Sequence, residues 1–238
     1  MTADRERLLE GIAGCVFDLD GTLTKTEIQH RRAWQEAINS AFDDPDLFTA
    51  ADYHELDGLA PLAAAAAFFE RRGISVPEGS DDDTQDRATL RAIVARKRDM
   101  YRSMLTAEGA EAYPGSLRLL SHLRTRGIPL AVVSASSSCR DVLRLAGLSD
   151  FFPVVLDGPE ITRAHLAGKP APDSFLAAAE RIGVHARHCA VFEDAPSGVQ
   201  AAVGGGFRTV VAVHRSGSAH HLTRENPDVL VCDLAQLL

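Results

Sequence analysis

Nowhere in these 238 residues is there an apolar run near the roughly 20 residues that a membrane-spanning helix needs. The opening residues, Met1 to Glu10, are rich in Asp, Arg and Glu and lack the apolar stretch of a secretion signal. A soluble, cytoplasmic protein without a membrane partner is the expectation. Cysteine is sparse too: Cys15, Cys139, Cys189 and Cys232 stand far apart with no Cys-x-x-Cys pair. That spacing argues against a zinc site or disulfide and for buried free thiols, three of them in predicted strands. Aromatic residues make up only 6% of the chain, and Lys and Arg form no cluster. Nucleic acid is therefore not an expected partner. With 25 basic against 33 acidic residues, the net charge is −8, so an anionic ligand must be drawn into a local cationic pocket against the overall field. What the chain does have is a 45% hydrophobic content, enough to fill a core.

From Ile128 onward, apolar β-branched runs at 129–134, 154–156, 189–192, 209–213 and 229–232 alternate with helical patterns at 115–126, 139–146, 172–182 and 196–204. Near-continuous apolar strands separated by helices predict an α/β fold with a parallel sheet covered on both faces. The stretch 26–112 differs, with helical periodicity and no clear strand. Helices are expected at 27–42, at 61–71 and at 84–105, the last opened by Asp81, Asp82 and Asp83, whose charge suits a helix N-terminus. A helical cap inserted after the first strand is the simplest arrangement. It divides the chain into a core of residues 1–25 and 113–238 and a cap of residues 26–112, joined by hinges near 23–26 and 111–114.

The chemistry concentrates at strand ends. After the apolar run Cys15-Val16-Phe17 come Asp18 and Asp20, one residue apart. Alternate residues of an extended segment point the same way, so both carboxylates can face one small volume. Two such charges are costly unless a cation, a raised pKa or a reacting phosphate compensates them. Downstream, Ser134 ends the run Val132-Val133, Lys169 sits in a Gly-Lys-Pro turn, and Glu193-Asp194 follow Val191-Phe192. Open α/β sheets bind ligands at the carboxyl ends of their strands, which is where these groups fall. Lys97 stands out differently. It lies inside a stripe formed by Leu90, Ile93, Val94, Tyr101, Met104 and Leu105, so it either snorkels to the surface or points into a polar cleft.

In order and type, this set resembles the haloacid dehalogenase superfamily of aspartate-nucleophile phosphotransferases, and within it the β-phosphoglucomutase-like branch. Thr26, His30, Ala33-Trp34, Arg96-Lys97, Tyr113-Pro114-Gly115, Lys169-Pro170-Ala171-Pro172-Asp173 and Gly198-Val199-Gln200-Ala201 extend the resemblance over nearly the whole chain. It implies a Rossmann-like parallel-sheet core with an α-helical cap. By the same resemblance, Asp18 is the nucleophile and Asp20 the general acid/base. Ser134, Ala135 and Lys169 hold the transferring phosphoryl group, and Thr26, His30 and Lys97 face the substrate. Mg²⁺ is the implied cofactor, held by Asp18, the Asp20 backbone carbonyl and Asp194, with Glu193 contributing. Its preference for one or two carboxylates plus water and phosphate oxygen suits that set.

The resemblance breaks in the cap loop. The mutase has Lys-Gly there, with an arginine three residues after the glycine; this chain has Asp57-Gly58-Leu59-Ala60-Pro61. After its Ser-Ala-Ser the mutase continues Lys-Asn, where this chain has Ser137-Ser138. Hydrogen bonds to charged groups contribute about 1.5–3 kcal/mol each, so two missing cations weaken a distal-phosphate site by about 10²–10⁴ in affinity. Arg163, His165 or Arg140 could substitute from elsewhere. A monomeric, Mg²⁺-dependent phosphatase of a small phosphorylated metabolite, most simply a sugar phosphate, is the leading expectation. The alternative is a β-phosphoglucomutase interconverting β-glucose 1-phosphate and glucose 6-phosphate. A catalytically silent module on the same fold should have lost Asp18, Asp20, Lys169 or Asp194, and all four are present.

Overall fold

The computed structural model describes residues 9–215 and 219–238, so the expectation for residues 1–8 falls outside it. Among the described residues one sheet contains β1 (Gly14–Phe17), β2 (Leu130–Val133), β3 (Val154–Leu156), β4 (Cys189–Glu193), β5 (Thr209–Val213) and β6 (Val229–Val231). The strands lie in the order β3-β2-β1-β4-β5-β6, every pair parallel. This is the α/β parallel sheet expected from the apolar runs, with β1 at its centre.

Alternation along each strand feeds two separate layers. Cys15 and Phe17 of β1, with Leu130 and Val132 of β2, join one cluster that also takes in Leu119, Leu120 and Leu123 of α4 (Pro114–Thr125). Val16, Ala131 and Val133 face the other side, against Phe175, Ala178 and Ala179 of α7 (Asp173–Arg181) and Val199 of α8 (Pro196–Gly204). Phe17 stacks on Phe192 of β4 with ring centroids 4.2 Å apart, and meets Phe152 edge-on. Between these last elements of the sheet lie two shorter helices, α5 (Cys139–Leu145) and α6 (Gly158–Arg163), and near the end α9 (His220–Thr223). The sequence reading did not anticipate α6. Its signal is Asp157, whose side chain accepts from Glu160 N, followed by Pro159 in the first turn.

Three helices lie between β1 and α4: α1 (Glu27–Phe42), α2 (Pro61–Arg71) and α3 (Leu90–Glu108). They gather a third cluster around Trp34, Ile38, Phe48, Phe68, Phe69 and Ile93. The chain enters and leaves this region side by side. Lys25 N donates to Glu111 O at 2.9 Å, Tyr113 N donates to Leu23 O at 2.9 Å, and Thr24 bridges Ala112 in antiparallel fashion.

Two expectations need correction. The third helix begins at Leu90 instead of residue 84, because Thr89 is its N-cap and accepts from Ala92 N. The acidic run closes a separate turn ahead of it, with Asp83 accepting from Ser80 N and from the Thr89 hydroxyl. Cys232, expected in a strand, lies just past β6 and is exposed; the other three cysteines are buried. No helix among the described residues is long and apolar enough to cross a membrane.

Because Phe17 joins two aromatic partners at the centre of the sheet, Phe17→Ala should cost about 3–5 kcal/mol of stability. Urea denaturation followed by circular dichroism measures this, and a loss below about 1 kcal/mol would contradict the packing described.

Candidate active site

The carboxyl ends of β1, β2 and β4 open onto a cavity of about 610 Å³. Asp18 and Asp20 follow β1, Ser134 follows β2 and Asp194 follows β4, while Lys169 arrives on the loop before α7; all five line the cavity. The opposite wall comes from the helical region, with His30, Trp34, Tyr53, Asp57, Lys97 and Tyr101. Ala135 also lines it, whereas Thr26 and Glu193 lie behind the lining.

Lys169 is the centre of the charge arrangement. Its ammonium donates to Asp18 Oδ1 at 2.5 Å and to Glu193 Oε1, and all three side chains are almost fully buried. Burial opposes the Lys169 charge, but the two carboxylates outweigh it and hold the ammonium well above its ordinary pKa. For Asp18, burial pushes the pKa well above the carboxylate range; Lys169 opposes this, and Glu193 and Asp20 add to it. Glu193 places its other oxygen on Ala195 N at 2.7 Å. Each of its oxygens thus accepts one hydrogen bond, one from Lys169 and one from the Ala195 amide.

Asp20 sits at the junction of the two walls. Its Oδ1 accepts from the Thr26 hydroxyl at 2.5 Å and the Tyr101 hydroxyl at 3.3 Å, and its Oδ2 from the Ser134 hydroxyl at 3.1 Å. Burial would raise its pKa, but His30 and the hydroxyl donors more than offset this and hold it below the ordinary range. His30 links Asp20 to Lys97. Its Nδ1 is 2.6 Å from Lys97 Nζ, and its Nε2 is 3.3 Å from Asp20 Oδ1 but off the line of a hydrogen bond. Burial, aided by Lys97, lowers the His30 pKa. A neutral ring accepts from the ammonium at Nδ1 and so presents Nε2–H toward Asp20. Lys97 itself is only 6% exposed and lies over the rings of Trp34 and Tyr101 at 5.3 and 5.2 Å. Burial pulls its pKa down to about 8. Of the two placements open to Lys97, the cleft is the one observed.

On the far side of Asp18, Asp194 accepts from the Thr22 hydroxyl at 2.8 Å. Burial first, then Asp57, Glu193 and Asp18, drive its pKa well above the ordinary range. Gly21, at φ +93°, passes so close that any Cβ there would overlap the Asp194 carboxylate. Asp18 and Asp194 thus form an acidic end, with one lysine tied up between Asp18 and Glu193. A hard divalent cation beside Asp18, Asp194 and the Asp20 carbonyl fits this excess charge. No three His, Cys, Asp or Glu side chains among the described residues gather into a group that could hold a metal ion by itself.

Residue-by-residue reading of the sequence missed two functional side chains here. Tyr101, assigned to the apolar stripe, also turns its hydroxyl to Asp20; its place four residues after Lys97 was the available signal. Asp57 was noticed only as a replacement. The structure puts it in the cavity wall, accepting from Tyr53 Oη at 2.9 Å, with its backbone carbonyl held by Ser197 Oγ at 2.7 Å. Gly58 beside it, at φ +76°, lets the loop approach Ala195 and Ser197; a Cβ there would lie 2.5 Å from Ser197 Oγ. Burial raises the Asp57 pKa to about 7. Of the cations considered as substitutes in a distal site, Arg163 lines the cavity, joined by Arg98. Arg140 instead donates to Asp157 at 2.7 Å, and His165 is not part of the wall.

A family profile for haloacid dehalogenase-like hydrolases matches residues 12–206. The chain belongs to that family. It is 41% identical over 98% of its length to a β-phosphoglucomutase of Mycobacterium bovis, covering 95% of that protein. It is 30% identical to a fructose-1-phosphate phosphatase of Escherichia coli, with 85% of this chain and 97% of that one aligned. The fold is shared with the crystal structure of a β-phosphoglucomutase from Clostridium difficile, at a TM-score of 0.79 and 23% identity over 95% of this chain and 93% of that one. The expected enzyme of phosphatase or phosphomutase type is thereby met at the level of the family.

The electrostatics carry a pH prediction for the metal-free protein. The folded Asp57 pKa of about 7 exceeds the ordinary 3.8, so the fold binds this proton more tightly than the unfolded chain does. Its stabilising contribution is greatest below about pH 4 and is lost as pH rises to about 7. In chelator, Asp57→Asn should melt close to wild type near pH 4 and above it near pH 8. A gap that does not change with pH would refute this.

Proposed function

We propose that this enzyme is a Mg²⁺-dependent phosphatase that cleaves a small phosphorylated metabolite, most simply a sugar phosphate, through an aspartyl-phosphate on Asp18. The observation that carries this reading is the buried Lys169 joining Asp18 to Glu193 beside Asp20 at the end of the central strand. A carboxylate is a weak nucleophile, and its repulsion from a phosphate dianion must be offset by fixed positive charge and in-line geometry. Lys169 supplies part of that charge and holds Asp18 in place. Mg²⁺ held by Asp18, the Asp20 carbonyl and Asp194 would neutralise the remainder.

The step balances simply. With a phosphate bound, whose negative charge favours the protonated form of Asp20, Asp18 attacks phosphorus as the ester P–O bond breaks and Asp20 gives that proton to the leaving oxygen. Asp20 then takes a proton from water as that water attacks the aspartyl-phosphate, which releases inorganic phosphate and frees Asp18. Such acid/base help is worth about 10²–10⁴-fold. Ser134 and the Ala135 backbone lie where they would hold phosphoryl oxygens, and Thr26 and His30 orient Asp20, the latter with Lys97 behind it. Residues 26–112 act in this reading as a cap on a core of residues 1–25 and 113–238, moving on the paired connections at 23–26 and 111–114.

A β-phosphoglucomutase is the second reading. It is favoured by the name of the 41% identical relative and by Arg98 and Arg163 in the cavity wall. Against it stands Asp57, an acidic group in the part of the loop that would face a second phosphate.

Asp18→Asn should reduce turnover to background and, by taking one anion from the buried Lys169, lower stability by up to about 3–5 kcal/mol while the circular dichroism spectrum stays that of a folded protein; retained activity would rule out covalent catalysis through Asp18. Incubation with β-glucose 1-phosphate, a bisphosphate primer and Mg²⁺ separates the two readings. Free phosphate marks a hydrolase, and glucose 6-phosphate marks a mutase.

A further inference from the structure

One cation near the site has no part in the chemistry above. Arg215 follows β5, and its side chain is only 9% exposed. It donates through Nε to Gly21 O at 3.1 Å and through Nη2 to Thr22 O at 2.6 Å and Ser116 Oγ at 3.1 Å. Nη1 reaches Asp233 Oδ2 at 3.2 Å and Cys232 O at 3.4 Å. The guanidinium plane lies 3.7 Å from the centroid of the Tyr113 ring.

These partners belong to three parts of the molecule. Gly21 and Thr22 form the turn directly after Asp20, and Thr22 also holds Asp194 through its hydroxyl. Tyr113 lies in the second connection to the helical region, pairs through its amide with Leu23 O, and donates its hydroxyl to Glu27 at the start of α1. Asp233 and Cys232 belong to the C-terminal segment beyond β6. Only a planar fork with five N–H donors can serve these acceptors and stack on a ring at once; a lysine ammonium has three donors and no plane.

We infer that Arg215 is a positioning residue, which fixes the turn carrying Asp20 and Thr22 and ties that turn to the connection at Tyr113. Two carbonyls held by one rigid group set the path of the backbone from Asp20 to Thr22. The direction of the Asp20 side chain and the reach of Thr22 to Asp194 follow from that path. The same guanidinium covers Tyr113, so the catalytic turn and the base of the helical region move together.

Arg215→Ala tests this, with amide hydrogen exchange as the first readout. Exchange across residues 18–25 and 111–117 should quicken by about tenfold or more, while protection in β4 and β5 stays at the wild-type level. The kinetic readout rests on the proposed roles of Asp18 and Asp20. There kcat should fall by about 10²-fold with little change in KM, since misplacing reacting groups costs rate more than binding. Added guanidinium should restore part of that loss, and Arg215→Lys should recover less than wild type in both readouts. Wild-type exchange in Arg215→Ala, or a rise spread evenly over the whole chain, would overturn the inference. Should the alanine variant fail to fold, Arg215→Lys decides on the same exchange criterion. A wild-type protein that turns over no phosphate ester would defeat the proposed function, while the exchange pattern would still judge Arg215.

Discussion

Everything at this site depends on one buried ammonium held between two carboxylates. Lys169, Asp18 and Glu193 share a space that water scarcely reaches, and the lysine keeps its charge because two anions oppose the cost of its burial. Removing a partner from such a group leaves an uncompensated buried charge, which typically costs about 3–5 kcal/mol. The arrangement therefore fixes the Asp18 side chain rigidly. It also leaves the pocket rich in negative charge, because Asp57 lies near enough to share the same lysine and Asp194 stands close to Asp57, Glu193 and Asp18. Burial first, and then the crowding of like charges, raises the pKa values of Asp18, Asp57 and Asp194. In the proposed reading, a divalent cation bound together with a phosphate would relieve that crowding.

Asp20 is governed by the opposite logic. Hydroxyls from Thr26, Tyr101 and Ser134 converge on it, so its anion is solvated by protein and its pKa is held below the ordinary range, whereas burial pushes that of Asp18 up. Two of those donors come from the helical region and one from the sheet side. The state of Asp20 is thus coupled to how the two walls meet. His30 and Lys97 extend the same coupling into the interior of α1 and α3, and their stacking on Tyr101 and Trp34 keeps both polar groups in place.

The sheet was legible in the chain because strands buried on both faces must be almost continuously apolar, and helix boundaries marked by Pro114, Pro196 and the glycines left little freedom. Boundaries failed where capping chemistry competed. Thr89 was hidden behind three aspartates that looked like the better helix start, and the hydrogen bond from Thr89 to Asp83 shows why both could not serve. The strand-end carboxylates and Lys169 were legible because spacing and strand ends converge on one edge. Arg215 was not. Its partners lie at positions 21, 22, 113, 116, 232 and 233, and no local pattern reports contacts at such separations. Glu193 shows the related limit: its place at the end of β4 was readable from the sequence, but only the structure reveals its hydrogen bonds with Lys169 and the Ala195 amide.

The mutase name of the 41% identical relative and the acidic loop at Asp57 can be weighed against each other in the cavity itself. In the proposed reading a phosphate at Lys169 and Ser134 would occupy the polar end, and the rest of the ligand would lie toward Asp57, Tyr53 and the apolar wall of Trp34, Leu56 and Leu62. A hydroxylated, uncharged body suits that surface, because its hydroxyls can donate to Asp57 while its carbon skeleton lies on the apolar residues. A second phosphate brought to Asp57 would meet like charge in a desolvated setting. Arg98 and Arg163 could hold it only from the solvent side, where the arginines are exposed and screening leaves an ion pair about 1 kcal/mol or less. Two such contacts fall short of what each of two cations bonded to a phosphate would contribute, about 1.5–3 kcal/mol, and on this ground the proposed reading takes one phosphate and hydrolysis.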